Sequence, residues 1–133
     1  MRREADVWQA FKRHLPPRMM VRRIEDASGN LGTPDTWLAM GGRSTWLELK
    51  HAGPNAKPSL RPGQAAFMRE LFDAGLPSGY LVGSPDGSVR LIGQLMSGVD
   101  WREHLIFRRD AMDAETVSLV LQHLGINANI RNS

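Results

Sequence analysis

Asp35, Glu48 and Lys50 are the residues of this chain whose types and spacing can do chemistry together. They flank two short, apolar, β-prone stretches, Trp37-Leu38-Ala39-Met40 and Thr45-Trp46-Leu47, separated by the hairpin signal Gly41-Gly42. If the loop is those two glycines, Met40 faces Arg43 and every further pair keeps the same sum, so Asp35 stands opposite Glu48. Lys50 follows one pleat along on the same face. Carboxylates opposed across a ladder repel, and a divalent cation is the natural offset. Mg²⁺ suits such a pair because it keeps waters and phosphate oxygens in its remaining positions. A neighbouring lysine can hold a water nucleophile or meet charge developing on a phosphate. A four-residue loop would slide Lys50 opposite Asp35 and keep all three on one face; a three-residue loop would turn Asp35 away. The bland alternative is a salt-bridged surface hairpin, against which the apolar strands argue for burial.

Several elements must position this set. Val7, Trp8, Phe11 and Leu15 recur at helical spacing over residues 3–15, and Pro16-Pro17 stops the helix. Glu4 shares that stripe, either because it has a partner or because the helix dipole favours an acid in the first turn. Met19 to Ile24 reads as a first strand, on which Arg22 and Arg23 alternate, so at most one of them turns toward the site. Glu25 and Asp26 are a rival acidic pair, but the Ser28-Gly29-Asn30 turn beside them reads as a solvated loop. Residues 51–60 form a Pro/Gly/Asn loop offering His51 and Lys57; His51 falls on the face opposite Lys50 if the strand continues.

The next helix is predicted to open at Arg61-Pro62-Gly63-Gln64 with Pro62 in its first turn. Ala65, Met68, Leu71 and Phe72 are its predicted core stripe, Gly75 its C-cap, and Gln64 lies on the Met68–Leu71 side. Ser78 to Gly83 and Ser88 to Ile92 form a second hairpin around Pro85-Asp86-Gly87. Trp101-Arg102-Glu103-His104 and Arg108-Arg109-Asp110 read as surface elements for DNA or a second subunit. A last helix is N-capped by Asp113, buries Val117, Val120, Leu121 and Leu124, and ends at Gly125; residues 127–133 carry no signal.

Pro34-Asp35 followed by Glu48-Leu49-Lys50 resembles the PD-(D/E)XK nuclease signature. Gly32-Thr33-Pro34-Asp35, the Glu-x-Lys strand and Gln64 on the following helix resemble the virus-type replication-repair nuclease branch (VRR-NUC), over roughly residues 4–92. The resemblance implies an α/β fold, a restriction-endonuclease-like core with a small mixed β-sheet flanked by helices, in a single nuclease domain over residues 1–126. It implies Mg²⁺ or Mn²⁺ held by Asp35, Glu48, the Leu49 carbonyl and Glu4. Asp35, Glu48, Lys50 and Gln64 are then catalytic, and Arg22, Lys57 and Arg61 are candidates for DNA contact. A lone nuclease domain resembles the stand-alone, viral members associated with Holliday junction resolution, which implies a branched DNA substrate and a homodimer that nicks two strands symmetrically. Two alternatives stay open: a flap or duplex nuclease of the same superfamily, and a non-catalytic nucleic-acid binding module.

Bulk properties agree with this class. The 133 residues suffice for one domain with a core, and 41% hydrophobic residues is ordinary for a globular protein. Without cysteine there are no disulfides, thiolate metal sites or cysteine nucleophiles, so a metal must take oxygen or histidine ligands. A net charge of +3 and a pI near 9.9 suit an acidic partner. No apolar run is long enough to span a membrane and Met1-Arg2-Arg3-Glu4 has no signal core, which predicts a cytoplasmic protein of a bacterial or phage-infected cell.

Overall fold

The twin glycines set the register of the whole sheet. In the computed structural model, which describes residues 1–24 and 35–126, Gly41 and Gly42 have φ of 63° and 77°, the positive values a type I′ turn requires. Strand β2 (Thr36–Met40) turns there into β3 (Arg43–His51), pairing Met40 with Arg43 and Thr36 with Leu47. That is the register expected of a two-residue loop. Pro34, the Glu25/Asp26 pair and residues 127–133 lie outside the described residues.

The fold is α/β: a six-stranded mixed sheet in the order β1 to β6, flanked by three helices. β1 (Met20–Arg23) borders β2, and β3 pairs in parallel with β4 (Gly79–Gly83); the other pairings are antiparallel, through β5 (Val89–Ile92) to β6 (Leu105–Arg109). A parallel pair needs a long crossover, and α2 (Gln64–Asp73) supplies it.

Strand alternation sorts the side chains. Leu47 and Leu49 face a core shared with Leu81 and Leu91, closed by Val7 and Phe11 of α1 (Glu4–Lys12) and by Val117, Val120 and Leu121 of α3 (Ala114–His123). Burying each such leucine contributes roughly 2 kcal/mol. Glu48 and Lys50 point to the opposite face, where Tyr80, Val82 and Ile92 pack with Met68 of α2 and with Trp101. α1 starts where the Asp6 carboxylate accepts from the N–H groups of Arg2 and Arg3 (2.8 and 3.2 Å), and α3 where Asp113 accepts from Thr116 N–H (2.8 Å).

Three expectations are corrected. Pro62 lies before α2, because Pro62-Gly63 form a turn closed by Gln64 N–H on the Arg61 carbonyl (3.1 Å), with Gly63 at φ 76°. Phe72 is 62% exposed, because the sheet-facing stripe of α2 runs through Gln64 and Met68 instead. Trp101 is buried rather than a surface anchor, since the guanidinium groups of Arg90 and Arg102 lie 4.5 and 4.6 Å from its ring. Arg108-Arg109 lie at the surface as expected, on the edge strand β6, whose residues alternate between half-buried and exposed. Among the described residues no helix is long and apolar enough to cross a membrane.

Candidate metal centre

Asp35 sits just before β2, next to Thr36, whose ladder partner is Leu47. The Asp35 backbone N–H donates to Glu48 Oε1 (3.1 Å), and its own Oδ1 accepts from Leu49 N–H (3.1 Å). Oδ1 also accepts from the Thr36 hydroxyl (2.8 Å) and lies 3.4 Å from Arg23 Nη1. One carboxylate oxygen is therefore fixed by several donors. The other, Oδ2, is buried and has no partner. An orphaned carboxylate oxygen is costly unless a cation meets it.

Glu4 comes to the same place from another direction. α1 packs Val7 and Phe11 into the core on the opposite face of the sheet, and Arg23 of β1 lies near both Glu4 and Asp35. Arg23 is 3.9 Å from Glu4 Oε1 and stacks 5.2 Å over Trp8 of α1. Carboxylate oxygens of Glu4, Asp35 and Glu48 lie within 4.8 Å of one another. Burial, then mutual repulsion, pushes Glu48 up to about 7. Glu4 is likewise pushed up to about 7, by burial and then by the neighbouring Asp35 carboxylate, although its side chain is 46% exposed. The protons belong to the cluster rather than to one residue.

Three cations answer the three acids. Arg61 Nη2 lies 3.1 Å from Glu48 Oε1, and Arg23 holds Asp35. Lys50, one pleat beyond Glu48 and 7% exposed, has its pKa lowered by burial against the opposing pull of Glu48, Glu4 and Asp35. Gln64 is fully buried; its Oε1 accepts from Arg61 N–H (3.3 Å) and its Nε2 is buried without a partner. The Leu49 N–H points at Asp35, and in an extended strand the carbonyl of the same residue leaves on the same side.

The structure thus gathers Glu4, Asp35, Glu48, Leu49, Lys50, Gln64 and Arg61. It does not gather the rest. Arg23, not Arg22, is the β1 arginine that faces the acids; Arg22 is exposed and bonds the Val21 carbonyl (2.8 Å). Lys57 lies out on the loop, 3.4 Å from the Met96 carbonyl. His51 faces away from Lys50 and bonds the Met1 carbonyl (2.9 Å).

Two further members escaped the sequence reading. Thr36 is fully buried and links Arg23 (3.1 Å) to Asp35, a role no local pattern announces. Tyr80 stands beside Glu48 across the parallel ladder, its buried hydroxyl unpartnered and its pKa raised by burial and then by the Glu48 charge. That neighbour depends on the β3/β4 register, which a crossover connection leaves unspecified in the sequence.

The residues fit a hard divalent cation: oxygen donors only, an orphaned carboxylate oxygen at the centre, and a repulsion that a cation removes. Comparison of the chain with protein-family models, with curated proteins and with solved structures finds no match in any of the three.

Proposed function

We propose that this protein is a metal-dependent DNA endonuclease. The observation that carries the reading is the convergence of Glu4, Asp35 and Glu48 within 4.8 Å around an unpartnered Asp35 oxygen, with Lys50 on the same face. Asp35, Glu48, Glu4 and the Leu49 carbonyl would hold Mg²⁺ or Mn²⁺. Bound there, the ion would lower the pKa of a water and shield charge on a phosphodiester. Lys50 orients the attacking water and stabilises the charge that builds on phosphorus. Gln64 Nε2 donates to that water or to a phosphate oxygen, and Arg61 serves the flanking phosphate. Hydrolysis forms one P–O bond from water and breaks one P–O bond to a sugar oxygen, which takes a proton from solvent as the attacking water gives one up.

The substrate we infer is branched DNA, with a four-way junction as the leading form, cut by a homodimer. The motif resemblance supports this, and two-fold symmetry fits paired nicks. A second reading, a non-catalytic nucleic-acid binder, is favoured by the balance of three acids against Arg23, Arg61 and Lys50.

Cleavage of junction, flap, duplex and single-stranded DNA in Mg²⁺ separates these readings. The parent should cut a branched substrate, and Lys50→Ala and Asp35→Ala should each lose at least about a hundredfold, the scale of removing one preorganised electrostatic group. Undiminished cleavage by both variants would reject the assignment.

A further inference from the structure

One rung of the sheet runs away from the site. Lys50 pairs with Val82, Val82 with Arg90, and Arg90 with Arg108, so four strands carry these residues in line on one face. Three strand spacings put Arg108 roughly 14 Å from Lys50. The loop that leaves Lys50 lies over this row. The Arg90 guanidinium, fully buried, donates to the carbonyls of Gly53 (2.8 Å) and Ala56 (2.9 Å) and fixes the loop from below. Arg108 Nη1 is only 3.4 Å from the Pro54 carbonyl and from Asn55 Oδ1, both long contacts for a guanidinium. Lys57 holds the Met96 carbonyl at 3.4 Å.

Among the described residues no carboxylate lies within 4 Å of Arg108 or Lys57. Neighbouring arginines differ: Arg102 is paired with Asp100 (3.2 Å) and Arg109 with Glu115 (2.9 Å). Asp86, whose charge Arg108 feels, is committed to the N–H and hydroxyl of Ser88 (2.9 and 2.6 Å). Two exposed cations therefore bracket a fixed loop at the end of a rung that begins at Lys50.

We propose that Arg108 and Lys57 form a second phosphate-binding position, for the sugar–phosphate backbone of the nucleic acid engaged at the carboxylates. The inference rests on the nuclease reading. Measured along the axis of a B-form duplex, about 14 Å corresponds to about four base-pair steps, at 3.4 Å each. The position grips the strand away from the scissile bond and carries no base readout.

Fluorescence anisotropy of a labelled duplex, titrated with salt in EDTA, tests it. The Lys57→Ala/Arg108→Ala double variant should lower the slope of log affinity against log salt by about 1.8, or 0.9 per phosphate contact. Lys12→Ala, at an exposed cation on α1 against the opposite face of the sheet, should leave the slope unchanged. An unaltered slope in the double variant, with the parent binding DNA, overturns the second position alone. A parent that does not bind DNA overturns both this inference and the nuclease reading.

Discussion

Glu4 and Glu48 hold protons that carboxylates ordinarily give up. Each is raised from 4.5 to about 7, Glu48 by burial and then the Asp35 charge, Glu4 by burial and then the neighbouring Asp35 carboxylate. Between those values the folded protein binds protons that the unfolded chain has lost. The stability tied to them is fully present below about 4.5 and disappears as pH rises through about 7. Without divalent ions, the melting temperature should therefore fall as pH is raised from 5 to 8, and Mn²⁺ should restore it at pH 8. Glu48→Gln keeps the acceptor for Asp35 N–H and Arg61 but removes a charge. It should flatten the pH dependence and raise apo-protein stability at pH 8 by on the order of 1 kcal/mol, as relieving a strained functional site does. Calorimetric melting at several pH values checks both; a melting temperature that rises with pH would show that the acids do not repel as described.

The elements matter here for what they bring to the acids. α1 delivers Glu4 only because β4 carries a glycine beneath it: a Cβ on Gly83 would lie 2.6 Å from Val7 Cγ2 and 2.9 Å from the Met1 side chain. Val7 is fully buried and cannot swing clear. Gly83→Ala should cost about 1–3 kcal/mol by overpacking, lift the first turn of α1, and weaken Mn²⁺ binding with Asp35 and Glu48 untouched. Thermal unfolding and Mn²⁺ titration of that variant test the helix and its glutamate together; wild-type metal affinity would show that Glu4 is dispensable.

This scale also shows what the sequence made legible. The β2/β3 register could be read because two adjacent glycines admit a type I′ turn, and the turn fixes the pairs from Met40–Arg43 to Thr36–Leu47, beyond which Asp35 N–H reaches the Glu48 side chain. α3 could be read because Asp113 and Gly125 mark both ends of an unbroken apolar stripe. β6 could not, because Leu105 to Arg109 is a short edge strand without a buried face of its own. Nor was the burial of Arg90 legible, because it depends on loop carbonyls and on Trp101, all distant in sequence.

At the scale of the whole molecule, the inferred substrate demands a second copy. Two coordinated nicks in a four-way junction need two centres related by a two-fold axis, and one chain carries one acidic cluster among its described residues. Light scattering should therefore give twice the chain's 14.8 kDa, with or without DNA. A strict monomer in both conditions would remove the junction reading and leave the flap or duplex nuclease. Of the large exposed apolar side chains, Met20 and Ile24 lie at β1 and Ile106 at β6, the two edges of the sheet, while Phe72 and Leu76 lie at the end of α2 and just after it. Met20→Glu and Ile106→Glu should therefore differ in their effect on assembly.

All of this depends on whether an ion belongs among Glu4, Asp35 and Glu48. Isothermal titration of the metal-free protein with Mn²⁺ at pH 8, beside Asp35→Asn, asks that question without reference to DNA. The expected result is saturable binding by the parent that is lost, or weakened at least about tenfold, in Asp35→Asn. Binding of equal strength in both proteins, or no binding by the parent, would contradict it.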